Sequence, residues 1–183
     1  AASDVYKRQD TILAFGKFLS TLYSGLSYAS VLLLAALGLG IIFGLMGVIN
    51  LAQGELIMIG AYAAWFTQEA LRITAPDLLD YYLIAAIPVS FLAASLVGLL
   101  MEVLVIRRLY DRPLMTLLAT WAISLLLINT VRVTVGSQNL EFYQPSYVSG
   151  GYSVLGDFIL TTNRLFAISV AMVAFIAVIV ILH

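Results

Sequence analysis

Cysteine is absent from the 183 residues, which excludes disulfides, thiolate nucleophiles and sulfur-ligated metals and leaves nothing to read about redox compartment. Histidine is nearly absent as well: the single one, His183, is the last residue. A Ser-His or Cys-His catalytic pair and a zinc site of the usual kind have almost no residues to be built from. Charge is scarce, with 9 Lys and Arg and 10 Asp and Glu making up 10% of the chain, against roughly 25% in an ordinary soluble domain. The formal net charge of −1 gives no reason to expect nucleic acid as a partner. No Gly-x-x-x-x-Gly-Lys-Ser/Thr loop occurs, so any nucleotide hydrolysis that the function uses resides in another chain.

The sequence is filled instead by apolar residues: 62% are hydrophobic and the mean hydropathy is +1.04. This is the composition of an integral membrane protein, and the expected fold is an all-α, polytopic transmembrane helix bundle of about five spans. Between Phe18 and Gly54 there are 37 residues without one charge. A single helix of that length would be about 55 Å long, against a hydrocarbon core of about 30 Å. The run must break at membrane depth. The stretch Gly44–Tyr62 has the residues to break it, so a discontinuous or re-entrant segment is expected between spans one and two. Such backbone is tolerated in a membrane only against protein or a water-lined cavity, which points to a transport path.

In chain order, Ala1–Asp10 holds four of the nineteen charges and fits poorly with the apolar chain after it. The string Ser3–Gln9 looks like translated sequencing adaptor, and residues 1–10 are read as a non-native leader ahead of a transmembrane domain at 11–183. Span one is expected over Leu19–Phe43, with Ser20, Ser24, Ser27, Gly25 and Ala29 at helical spacings that suit close helix approach. Span two is expected to start near Asn50 or Leu51 and to end near Gln68 or Arg72, with Asn50 as N-cap, Gln53 reaching back as in a capping box, and Glu55 in the first turn. Glu55, Tyr62 and Glu69 recur every seven residues and share one stripe. An acid inside a span is by default a functional candidate, whereas Glu69 lies at the aqueous end.

Span three, Tyr82–Ile106, carries Pro88, expected to kink it or rearrange it locally. Arg107, Arg108 and Arg112 form the tightest cationic cluster and anchor the topology: this loop is expected in the cytoplasm, the Arg72–Asp80 loop outside. Lys17 disagrees weakly. Span four, Pro113–Val131, sets Thr116, Thr120 and Ser124 along one face, either as interhelical packing or as a hydrogen-bonding wall of the path. From Val135 to Asn163 the hydropathy collapses. Turn residues such as Gly136, Ser137, Gln138, Asn139, Pro145, Ser146, Ser149, Gly156 and Asp157 alternate there with Phe142, Tyr143, Tyr147, Tyr152 and Phe158. Short extended pieces are expected in this outer loop, which would cap the path or receive an external partner. Span five, from Leu165, is still apolar at Leu182, so the chain reads as an N-terminal fragment of a longer membrane protein.

Two blocks carry a family resemblance. In Gly44–Tyr62, residues Asn50, Ala52, Gly54 and Glu55 match a glycine-rich break leading into Asn-x-Ala-His-Gly-Glu and a small-residue helix. Gln53 stands where histidine is usual, which favours a structural or hydrogen-bonding role there over protonation. The second block is Arg112–Leu114, Leu117–Trp121, Val131–Arg132, Gly136, Gln138–Asn139, Pro145–Ser146 and Ser149–Gly151. Together they resemble membrane permeases of the high-affinity branched-chain amino acid class of ABC importers, the second block looking more like the urea branch.

The resemblance implies a non-enzymatic transport subunit of the bacterial plasma (inner) membrane, working with a second permease subunit, two cytoplasmic ATPase subunits and an extracytoplasmic substrate-binding protein. It implies no cofactor on this chain. The expected action is alternating access, with Asn50, Gln53, Glu55, Tyr62, Thr116, Thr120 and Ser124 lining or shaping the path. Urea or a short amide would use Asn50, Gln53, Thr116 and Thr120. A zwitterionic amino acid would use the helix start and Glu55. A passive solute or ion channel is the alternative from another class, and an intramembrane enzyme has almost no residues to work with.

Overall fold

The computed structural model describes residues 2–136, 140–145, 150–155 and 158–182. Of the positions singled out above, Ser137, Gln138, Asn139, Ser146, Tyr147, Ser149, Gly156, Asp157 and His183 lie outside the described residues. Five α-helices carry the described chain: α1 (Ala2–Met46), α2 (Gln53–Thr74), α3 (Tyr82–Leu104), α4 (Pro113–Thr134) and α5 (Thr162–Leu182). Single 3-10 segments, Pro76–Tyr81 and Ile106–Arg108, flank α3, and a two-stranded hairpin, β1 (Gly151–Leu155) with β2 (Phe158–Thr161), precedes α5. The extended pieces expected in the outer loop are this hairpin, antiparallel with Gly151 opposite Thr161 and Tyr152 opposite Leu160.

Four stretches are long and apolar enough to cross a membrane: Leu13–Met46, Pro76–Arg108, Pro113–Thr134 and Thr162–Val180. The fold is therefore a polytopic helical membrane bundle. The fifth helix, α2, has 22 residues, a length of about 33 Å. It falls short in composition rather than length, because Glu55, Gln68, Glu69 and Arg72 interrupt its apolar surface.

The chain divides into two compact units, Ala1–Ala36 with Gln144–His183, and Leu37–Tyr143. In the first, α1 and α5 are tied where α5 begins. The Tyr23 hydroxyl donates to the Thr161 carbonyl at 2.8 Å, and the Arg164 guanidinium donates to the Ser24 hydroxyl. The Thr162 amide donates to Gly150 O at 3.0 Å, closing the base of the hairpin.

In the second unit α2 and α3 run antiparallel and close. A Cβ added to Gly60 would meet Ser90 O at 3.9 Å, and one added to Gly98 would meet Leu56 Cδ1 at 3.9 Å. Small residues at these points let the backbones approach, the usual device where lipid removes the hydrophobic drive for helices to associate. The core of this unit is Val48, Ala52, Met101 and Ile106, with Met46, Leu56, Val97, Ile123 and Leu127 packed around it. α3 is helical on both sides of Pro88.

The run that had to break does so later than its length alone requires. α1 stays helical to Met46 and ends at Gly47, whose φ of +64° is a left-handed conformation that glycine adopts without strain. The Gly47 amide donates to Phe43 O at 2.9 Å, and residues 47–52 are non-helical. The expected capping box does not form. α2 starts at Gln53, its N-cap is Ala52, and no side chain caps it. Asn50 lies too far upstream: its Oδ1 accepts from the Ala52 amide at 2.9 Å, a local turn that prevents it from reaching the amides inside the helix.

Candidate functional site

The break is held from one side by α4. Thr116, Thr120 and Ser124, four residues apart, fall on one helical face and are all buried, the first two fully. Each has a different task. Thr116 donates to Leu109 O at 2.7 Å and also lies 3.2 Å from Arg112 O, fastening the basic loop to the first turn of α4. Thr120 donates to Leu117 O at 3.0 Å and accepts the Leu51 amide at 3.3 Å, so its hydroxyl satisfies a backbone donor that the missing helix leaves open. Ser124 donates to Glu55 Oε1 at 2.7 Å, which joins the first turn of α2 to the middle of α4.

Asn50, Glu55, Thr120 and Ser124 are thus brought together around residues 50–55. Gln53 faces elsewhere: its Nε2 is 2.9 Å from where a Gly38 Cβ would be, so it fills the gap that glycine leaves in α1. Tyr62 lies about two turns further along α2, outside this cluster. Two acceptors near the break are buried without a hydrogen-bond partner among the described residues, Glu55 Oε2 and Gln53 Oε1. Thr120 is seven residues into α4 from Pro113, at most about 10 Å along the helix. The non-helical backbone of the break therefore packs beside the first two turns of α4, at the end that carries the basic loop.

In that loop Arg107 is committed. Its Nε and Nη2 donate to the two carboxylate oxygens of Glu102, both at 3.1 Å, and the Tyr110 hydroxyl reaches Glu102 Oε1 at 3.4 Å. Burial and the neighbouring Glu102 carboxylate raise the Tyr110 phenol above its ordinary value. Arg108 and Arg112 are exposed.

Two residues absent from the sequence-derived site emerge in the fold. Glu102 was legible as an acid five positions before Arg107. Gln68 was not: it is buried on α2, its Nε2 donates to Glu141 O at 3.4 Å, and its Oε1 accepts the Tyr143 amide at 2.8 Å. One amide thereby holds both sides of the segment after α4. Tyr143 completes the attachment by donating to Asp80 Oδ1 at 3.0 Å and meeting the Tyr82 ring edge-on at 6.5 Å between centroids. The Asp80 hydrogen bond, with burial behind it, raises the Tyr143 phenol. Glu69, at the end of α2, pairs with the exposed Arg72 at 2.6 Å. Among the described residues no group of three His, Cys, Asp or Glu could hold a metal.

Comparison with known proteins shows the family. The family model described as the branched-chain amino acid transport system / permease component matches residues 21–183. The high-affinity branched-chain amino acid transport system permease protein BraD of Pseudomonas aeruginosa is 30% identical over 141 residues, 76% of this chain and 45% of that protein. The permease proteins LivH of Salmonella typhimurium and of Escherichia coli, of the same system, are each 29% identical over 138 residues, 75% of this chain and 44% of theirs. The chain spans less than half the length of these relatives. No solved structure matches it. The matched region takes in the break, the α4 stripe and every later span, and the chain belongs to the family of branched-chain amino acid transport system permease components.

Proposed function

We propose that this chain is part of an inner-membrane permease subunit of an ATP-driven importer that carries a branched-chain amino acid inward by alternating access. Its partners are a second permease subunit, two cytoplasmic ATPase subunits and an extracytoplasmic binding protein. The Arg107–Arg112 loop lies in the cytoplasm. Family membership supports a permease over a passive channel, and the relatives named for branched-chain amino acid transport support the substrate class.

The observation that carries the substrate reading is the half-satisfied carboxyl of Glu55. One oxygen takes the Ser124 hydroxyl, while the other is buried with no donor among the described residues. The hydroxyls of Thr116 and Thr120 and the Asn50 carbonyl oxygen are already bonded within the protein, which leaves Gln53 Oε1 as the one open acceptor, among the described residues, of the polar set that urea would use. An acceptor without a donor matches an ammonium group. No side chain caps α2, and the amides that open a helix, which have no intrahelical acceptor, favour the carboxylate of the same zwitterion. Relative motion of α2 and α4 breaks the Ser124 bond and admits substrate to the freed carboxyl.

Uptake of labelled leucine and labelled urea by the complete transporter in proteoliposomes tests this. Leucine uptake that falls at least tenfold in Glu55→Gln, with urea not transported, is the expected result. Urea uptake without leucine uptake would sink the substrate reading, and a Glu55→Gln transporter with normal leucine uptake would remove Glu55 from the mechanism.

A further inference from the structure

α4 is fastened to its neighbours unequally along its length. In the part nearest the basic loop, Thr116, Thr120 and Ser124 are buried and bond Leu109 O, the Leu51 amide and Glu55 respectively. Beyond Ser124 no residue of α4 is buried, and the same face continues through Ile128 and Val131, which are only half-buried. The polar side chains of this far half are spent on their own helix. Asn129 donates to Leu125 O at 2.7 Å, Thr130 to Leu126 O at 2.8 Å and Thr134 to Thr130 O at 2.8 Å. Among the described residues, no hydrogen bond from a side chain after Ser124 ties α4 to another helix.

What fastens that end is the strap that follows, residues 140–143. Gln68, buried near the end of α2, accepts the Tyr143 amide at 2.8 Å and donates to Glu141 O at 3.4 Å. The Tyr143 hydroxyl donates to Asp80 at 3.0 Å, and its ring meets that of Tyr82, the first residue of α3. The strap therefore grips the far ends of α2 and α3, about 20 Å along α2 from Glu55. Its grip is three hydrogen bonds and one ring edge. No strap residue is buried, and no ion pair holds it among the described residues. Contacts of this kind at an aqueous end open at little cost, because each donor and acceptor exchanges its partner for water.

We propose that Gln68 and residues 140–143 form an outer latch on the solute path. Closed, as in this structure, the latch keeps the far half of α4 beside α2. Released, it lets that half swing away on the anchor that Thr116 and Thr120 provide at the other end, and the way from outside to Glu55 opens. The Ser124 bond to Glu55 is the tie nearest the moving half, so it is the first to break. Gln68 is a positioning residue: it acts on the solute only through the strap. The inference rests on the alternating-access reading and on the orientation given above, with the basic loop in the cytoplasm.

The test locks the strap reversibly. These 183 residues contain no cysteine, so Gln68→Cys/Tyr143→Cys in an otherwise cysteine-free complete transporter can be bridged by a short bifunctional methanethiosulfonate and released by reduction. Uptake into proteoliposomes is followed with labelled leucine and labelled urea. The bridged protein is expected to lose uptake at least tenfold and to recover it on reduction. Uptake by the bridged protein equal to that of the unbridged one overturns the latch, since a merely structural strap tolerates being tied down. A transporter that carries urea alone refutes the substrate reading but still reports on the latch through the same bridge. A second measurement needs no transport. With Tyr62→Cys as reporter, Gln68→Leu is expected to speed modification by a membrane-impermeant reagent from outside about 30-fold, about fivefold for each of the two hydrogen bonds removed. An unchanged modification rate overturns the proposal as well.

Discussion

Replacing Ser124 by alanine isolates the contact that joins the break to α4. Ser124 is 8% exposed and its hydroxyl donates to Glu55 Oε1 at 2.7 Å. The second carboxyl oxygen already has no partner among the described residues, so Ser124→Ala leaves both oxygens of a largely enclosed carboxyl unsatisfied. The lost volume is one oxygen atom, too small for cavity formation to dominate. Desolvation of an orphaned acceptor is the governing cost, at about 2 kcal/mol. That corresponds to about a 30-fold fall in the ratio of folded to unfolded protein.

Glu55 Oε2 is already buried, so solvent does not offset the loss on that side of the carboxyl. Reversible unfolding of the complete permease in mixed micelles measures it. Combining Ser124→Ala with Glu55→Leu supplies the control: once the carboxyl is gone the alanine no longer strands an acceptor, so the double variant is more stable than the sum of the single changes by about 1–2 kcal/mol. If Ser124→Ala unfolds within about 0.5 kcal/mol of wild type and the two changes add, the hydrogen bond is not a structural tie and the latch between α2 and α4 is refuted.

Two further outcomes concern the far end of the second unit. Gln68→Leu keeps the volume but removes both amide contacts to residues 141–143. Limited proteolysis should cut that segment at least tenfold faster, while a cut rate equal to wild type would show that the Tyr143 contacts suffice alone. The raised Tyr143 phenol gives a pH signature whose direction is fixed. Its neutral form is favoured in the folded state by the hydrogen bond to Asp80, so this stabilisation is complete below the ordinary value of 10.0 and is lost as pH rises through the higher folded value. Alkaline titration followed by tyrosinate absorbance should show this late step, and Tyr143→Phe should reduce it to the part that Tyr110 contributes.

Much of the candidate site was legible in the sequence because it rests on local periodicity. Three hydroxyls four residues apart announce one face of α4 whatever that face packs against, and an apolar run longer than a bilayer announces a break. Where backbone and side chain compete, the sequence was less informative. Asn50 is a good cap by type, but its carbonyl oxygen reached the Ala52 amide first and α2 began at Gln53. Gln68 gave no signal because an amide near a helix end is ordinary until a distant segment supplies its partners.

Composition and spacing alone determined that this is a helical membrane protein with few charges, a run broken within Gly44–Tyr62 and a basic loop after the third helix. Those properties follow from transfer free energies and helical repeat, which act along the chain. Only the tertiary structure decided which hydroxyl serves which partner: Thr116 holds the loop, Thr120 the open backbone of the break, and Ser124 the carboxyl of Glu55. The reason is physical. A buried polar group is satisfied by whatever the packing brings within about 3 Å of it, and residues 69 positions apart are brought that close by the fold, not by sequence spacing.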